Sequence, residues 1–215
     1  MNYLDIENWV RKEHYYFFKQ MDYPHFNVCA NIDISNLLAY VKRNNYSFYH
    51  TFIYLASRVA NSIPEFRYRM QGDKIAVYES VHPSFTVLKG TDAFRYCTVR
   101  YESDIFKFYH LVEKRLEDLN RKQDLDDAAG RDDLLYMTSI PWVSFTSITH
   151  PVHMHPADSI PRISWGKYFD DNGMIKMPLS VQANHAIMDG YHIGRYFNEL
   201  QELIHSPGIY YKHDV

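Results

Sequence analysis

The segment "MIKMPLSVQANHAIMDGYHIGRYFNELQELI" changes its periodicity once, and that change limits what the chain can fold into. Ile175, Met177, Leu179, Val181 and Ala183 recur at every second position, the period of a strand with one buried face. Ile193, Phe197, Leu200 and Ile204 then recur at helical spacing. A strand therefore passes into a helix within a few residues, and His185, Asp189 and Gly190 occupy the junction. A base that must meet an incoming substrate belongs where a rigid element ends and the surface opens. A histidine with an ordinary pKa of about 6.5 can take a proton there near neutrality, and Gly190 permits a tight reversal of the backbone. The pattern alone leaves two readings open. His185 is a catalytic base, or Asp189 merely caps the following helix and His185 is an ordinary junction residue.

The same two periods organise the rest of the chain. "WVRKEHYYFFKQM" reads as helical at its start, "HFNVCANIDI" as a strand, and "DISNLLAYVKRN" as a helix with Asp33 or Ser35 as its N-cap. "SFYHTFIYLASRVANS" is a helix ended ahead of Pro64. "KIAVYES" and "SFTVL" read as strands, and "DIFKFYHLVEKRLEDLNRKQ" puts Ile105, Phe108, Val112, Leu116 and Leu119 on one helix face. "QDLDDAAGRDD" reads as an exposed connection, and "LLYMTSIPWVSFTS" as a buried strand interrupted at Pro141. Asn172-Gly173 predicts a tight hairpin turn between two β-like runs. The expected fold is α/β, a two-layer sandwich with a mixed, largely antiparallel sheet, in a single domain over residues 1–215.

Composition narrows the function classes. With 215 residues and 46% hydrophobic content the chain can build one sizeable core. A formal charge of -3 without a basic stripe argues against nucleic acid as a partner. No apolar run reaches membrane-spanning length and the N-terminus lacks a signal core, so a cytoplasmic protein with no membrane partner is expected. Cys29 and Cys97 form no CxxC pair, which fits a reducing compartment. "HPVHMHP" offers His150, His153 and His155 at a spacing that could ligate zinc, but no cysteine or metalloprotease acid accompanies them, and no metal is expected.

The junction resembles the active-site signature HxxxDG of the chloramphenicol acetyltransferases, within the wider group of CoA-dependent acyltransferases. "NWVRKEH", "SFYHTFIYLASRVANSIPEFR", "VYESVHPSFTV", "IPWVSFTS" and "GKYFDDNGMIKMPLSVQ" resemble that family in the same order, over nearly the whole chain. The resemblance implies the CoA-dependent acyltransferase fold and acetyl transfer from acetyl-CoA, a co-substrate, to a hydroxyl of a small acceptor such as chloramphenicol. It implies no covalent acetyl-enzyme. His185 matches the base, and Asp189 matches an aspartate paired with an arginine, here Arg11, that fixes the histidine's loop. Thr138 matches the serine that donates to the oxyanion, with Ser139 the competing hydroxyl. Ser164 matches a threonine that holds a water near the intermediate. Lys167, Tyr168, Trp142 and Tyr49 match positions along the CoA tunnel, although Trp142 and the other aromatics would serve equally as core. Phe18, Phe26 and Phe94 match acceptor contacts. A homotrimer with active sites between subunits is implied as well.

Several positions depart from the family. Members commonly carry two adjacent histidines where this chain has Asn184-His185. Ser47 stands where a basic residue is often found, Phe18 lacks a tyrosine's hydroxyl, and Asp22 lies in the more polar "MDYPH". These changes keep two alternatives in view: the same chemistry on a different hydroxyl acceptor, and a ligand-binding relative without catalysis. An intact His185 argues against the second.

Overall fold

The computed structural model describes residues 1–90, 92–121, 125, 128 and 130–211. Its main sheet contains β2 (His25–Asp33), β5 (His82–Lys89), β6 (Ala93–Thr98), β7 (Leu134–Ile140), β8 (Arg162–Gly166), β9 (Phe169–Asp171) and β10 (Met174–Asn184). The order is β2-β10-β8-β7-β5-β6, with β9 paired to β10. β5–β7 and β7–β8 are parallel, and every other neighbouring pair is antiparallel. A second, three-stranded sheet joins β1 (Asn2–Tyr3), β4 (Lys74–Val77) and β3 (Tyr68–Gln71). The helices are α1 (Lys12–Lys19), α2 (Ser35–Arg43), α3 (Phe48–Ser62), α4 (Ile105–Arg121) and α5 (Gly190–His205). The expected α/β fold with a mixed, largely antiparallel sheet is therefore present.

One face of the main sheet packs on the helices. Phe85, Met137, Ile163, Trp165, Leu179 and Val181 enter a continuous core with Phe52 and Leu55 of α3 and Ile193 and Leu200 of α5. Burying each such side chain stabilises the fold by about 1.5–3 kcal/mol. The other face is buried but polar: Ser164, Ser180, Gln182, Asn184 and Arg162 point there. The segment between Pro141 and Pro161 is tied to this polar face. Gln182 accepts the His150 backbone N–H at 2.8 Å, and Ser164 Oγ lies 2.7 Å from His150 Nε2.

Local signals explain the element ends. Ser47 caps α3 by accepting the His50 N–H at 3.2 Å. Asn172 (φ 54°) and Gly173 (φ 85°) form the expected turn between β9 and β10, in a left-handed conformation that strains most residues other than glycine and asparagine. The first run of that hairpin is broken, however. β8 pairs further along β10 than β9 does, with Lys167 and Tyr168 between them. Gly166, the last residue of β8, has no room for a Cβ, which would lie 2.7 Å from the Val143 carbonyl and 2.8 Å from Pro178. The N-cap of α2 is Ile34, neither Asp33 nor Ser35, and Asp33 one residue earlier accepts the Ser35 N–H at 2.9 Å. Much of the connection expected to be exposed lies outside the described residues. Within it Ala128 is buried against Leu134 and Ile160. No helix among the described residues is long and apolar enough to cross a membrane.

Four histidines, His25, His50, His82 and His150, lie below their ordinary pKa of 6.5, in each case first because burial disfavours the charged ring. The unfolded chain takes up protons at these sites before the folded one does, so acid favours unfolding in that window. The melting temperature should accordingly be flat above pH 7 and fall as the pH drops through 6.5 towards about 5. Thermal melts followed by circular dichroism across that range check this, and a constant melting temperature would contradict it.

Candidate active site

The strand-to-helix junction is held from both sides. β10 ends at Asn184, and the His185 N–H donates to the Pro24 carbonyl at 2.7 Å. The His185 ring stacks on Phe18 with centroids 3.9 Å apart and planes within 4°. Phe26 closes on it at 4.5 Å. Two of the expected acceptor contacts thus fix the histidine's plane. Nδ1 of His185 is buried and meets no hydrogen-bond partner among the described residues. The ring is only partly buried as a whole, which leaves Nε2 as the nitrogen that can meet a hydroxyl.

Asp189 both caps α5 and pairs with Arg11. Its Oδ1 accepts the Tyr191 N–H at 3.0 Å and caps α5, while His192 Nδ1 accepts the Asp189 N–H at 3.0 Å. Its Oδ2 pairs with Arg11 Nη1. Arg11 Nη2 also donates to the His185 carbonyl at 3.2 Å, so one guanidinium grips both ends of the turn. Burial pushes the Asp189 carboxyl up, but Arg11 and then His192 outweigh it and hold the group below its ordinary range.

Thr138 belongs to a different part of the molecule. It stands on the polar sheet face beside Ser164, its register partner on β8. It contributes to the walls of two adjoining cavities, of about 840 and about 300 Å³, which also share Tyr96, His150 and Pro151. The larger is walled by Tyr49, Phe94, Ser139 and Trp142. Trp142 is 65% exposed and is no core residue, because Pro141 ends β7 and turns the chain outwards. The smaller cavity is walled by Tyr136, Asp158, Arg162 and Ser164. Lys167 and Tyr168 lie outside both walls. The Lys167 N–H donates to the Val143 carbonyl at 2.9 Å, and the Tyr168 ring lies 6.4 Å from Phe48 at the start of α3.

His185 and Thr138 are not brought together within one chain. Thr138, Ser164 and Ser180 are register partners across three strands, and His185 lies beyond the end of β10. With about 4.8 Å between strands and about 3.3 Å per residue the separation is roughly 19 Å. Phe26, which flanks His185, is also on the helix side of the sheet, opposite Thr138. The residues expected at the site therefore fall into two groups, one around His185, Phe18 and Phe26 and the other around Thr138, Ser164 and Phe94.

Sequence reasoning missed His150 as a cavity residue and considered it only as a metal ligand. Its ring lies against Ser164, and among the described residues no group of three metal-binding side chains gathers. Burial, and then the charge of Arg162, hold its pKa below the ordinary value. The signal that could have found it is the polar alternation of β8 and β10, which leaves Ser164 and Gln182 needing partners.

Replacing Asp189 by Asn should cost about 2–3 kcal/mol, below the ~3–5 kcal/mol of a fully buried pair because Asp189 remains partly exposed. Because its pKa is depressed, the carboxylate's contribution is complete above the unfolded value of 3.8 and is lost as the pH falls through the folded value. Urea titrations should show a constant gap between wild type and variant from about pH 8 to about pH 5 that narrows below pH 3.8.

The family model described as chloramphenicol acetyltransferase matches residues 1–201. A chloramphenicol acetyltransferase of a Klebsiella species is 32% identical over 200 residues, covering 93% of this chain and 91% of that protein. Chloramphenicol acetyltransferase 3 of Escherichia coli is 34% identical over 212 residues, covering 96% and 99%. A solved chloramphenicol acetyltransferase superposes with a TM-score of 0.87 at 25% identity, covering 94% of this chain and 98% of that one. A solved dihydrolipoamide acetyltransferase of Azotobacter vinelandii shares the fold at a TM-score of 0.69 and 15% identity, covering 93% and 88%. With its fold, its HxxxDG junction and a match over nearly its whole length, the chain belongs to the chloramphenicol acetyltransferase family.

Proposed function

We propose that the protein transfers the acetyl group of acetyl-CoA to a hydroxyl of chloramphenicol in the cytoplasm, acting as one domain per chain. The observation that carries this reading is the held geometry of His185 in a chain of this family: its ring stacks on Phe18 and its carbonyl is gripped by Arg11. His185 Nε2 takes the hydroxyl proton as the oxygen attacks the thioester carbonyl. The tetrahedral oxyanion accepts a hydrogen bond from the Thr138 hydroxyl. Collapse expels the CoA sulfur, which recovers the proton from the imidazolium. General-base catalysis of this kind contributes about 10²–10⁴ in rate, and one oxyanion donor about 10²–10³.

The separation of the two groups of residues supports a homotrimer in which His185 of one subunit faces the Thr138 cavity of its neighbour. In that arrangement Phe18, Phe26 and Phe94 contact the acceptor. Tyr49, Trp142, Lys167 and Tyr168 serve CoA, and Ser164 holds a water near the intermediate. No resident metal takes part. A second reading, the same transfer to another small hydroxyl compound, is favoured by one observation: His150 and Arg162 put polar groups into the smaller cavity beside Thr138.

Acetyl-CoA with chloramphenicol should release free thiol, and His185→Ala should lower turnover by about 10²–10⁴. Turnover unaffected by that substitution removes His185 from its role. Absence of thiol release with chloramphenicol, but release with another acceptor, selects the second reading. Sedimentation of a fully active monomer would overturn the shared site.

A further inference from the structure

Asn184 sits beside His185 and has no part in the chemistry proposed above, yet it is among the most thoroughly engaged side chains of the junction. It is 1% exposed. Its Oδ1 accepts the Ala186 N–H at 3.0 Å, bridging over His185. Its Nδ2 donates to the Asp158 carbonyl at 3.0 Å. That same carbonyl lies 2.9 Å from His25 Nε2. The backbone carbonyl of Asn184 in turn accepts the N–H groups of Ile187 and Met188, at 3.1 and 3.2 Å. Asp158 belongs to the wall of the smaller cavity, and its carboxylate pairs with Arg162. One amide therefore joins the turn that carries His185 to the cavity wall.

We propose that Asn184 is a positioning residue for His185. It fixes the turn from inside the sheet, as Arg11 does from outside, and it does so without changing charge with pH. This rests on His185 being the base. The position needs a donor and an acceptor at once. An aspartate keeps the acceptor for Ala186 but turns a second oxygen towards the Asp158 carbonyl. An alanine leaves the N–H of the buried Ala186 unpaired. A neutral imidazole can supply one donor and one acceptor, but once protonated it has two donors and no acceptor. The charged and titratable groups that face the position are His25 from β2, Asp158 from the cavity wall, Arg162 from β8 and His185 itself. The amide alone among the candidates keeps both bonds whatever the pH.

A base misplaced by about 1 Å loses roughly 10²-fold in rate. Asn184→Ala and the equally sized Asn184→Asp should each lower kcat by about 10–100-fold while KM for acetyl-CoA and chloramphenicol changes by less than about 3-fold. Asn184→His should approach wild-type kcat above about pH 8. Below about pH 7 its kcat should fall more steeply than that of wild type, because a second protonation then removes the base's support. The second readout needs no turnover: modification of His185 by diethyl pyrocarbonate, followed by peptide mass, should be faster in Asn184→Ala and Asn184→Asp than in wild type. Circular dichroism confirms that each variant folds, and the isosteric Asn184→Asp decides the matter if Asn184→Ala does not. Unchanged modification rates together with an unchanged kcat overturn the proposal, as does an acid limb for Asn184→His that parallels wild type. If wild type releases no thiol with any acceptor, the functional reading fails. The modification rates then still decide whether Asn184 holds the ring.

Discussion

One guanidinium closes this fold on itself. Arg11 precedes the first helix, and it reaches across 178 positions of sequence to Asp189 and 174 to the His185 carbonyl. The pair is worth little as a bare salt bridge, because desolvation offsets most of the Coulombic gain. Its importance is geometric. The carboxylate it engages is simultaneously the N-cap of α5, so the start of that helix, the turn before it and the N-terminal segment are specified together. Loss of Asp189 strands the buried Arg11 guanidinium, whereas loss of Arg11 leaves a carboxylate that is still partly solvated.

The two faces of the main sheet divide the work. The helix face is apolar and supplies cohesion, with Phe52, Phe85 and Val181 in one core. The opposite face supplies specificity through satisfied polar groups. Ser164 meets His150, Gln182 meets both the N–H and the carbonyl of His150, and Asn184 meets Asp158. A one-residue slip of β10 would exchange the two sets of side chains and bury Gln182 and Asn184 in the apolar core. The polar face thus fixes the register on which both groups of residues depend.

Most of this architecture was legible in the sequence, where periodicity is strong. The alternation of residues 175–183, the face of α4 and the Asn172-Gly173 turn follow from side-chain spacing and turn chemistry alone. The candidate base was visible as a junction histidine, and its pairing partners through family resemblance. What periodicity could not carry were contacts that depend on the path of irregular chain. The segment after Pro141 sends Trp142 to the surface and lays His150 over Ser164, and neither outcome has a local signature. Nor does spacing reveal that His185 and Thr138 lie on different sides of the sheet, since both simply belong to strands or strand ends. The role of Asn184 is the clearest such case. As a residue type it only announces that it needs partners, and those partners, Ala186 and Asp158, become visible once the strands are assembled.

Gly166 carries a consequence for how this chain can vary. Its backbone needs no left-handed conformation; it is confined by the Val143 carbonyl and the Pro178 ring. Any side chain there must push on backbone, and the backbone it meets adjoins Trp142 in the wall of the larger cavity. Evolutionary drift at this point is therefore closed to even the smallest enlargement. Variation in the cavities is left to side chains already lining them, such as Phe94 or His150, while Gly166 at the end of β8 stays as it is.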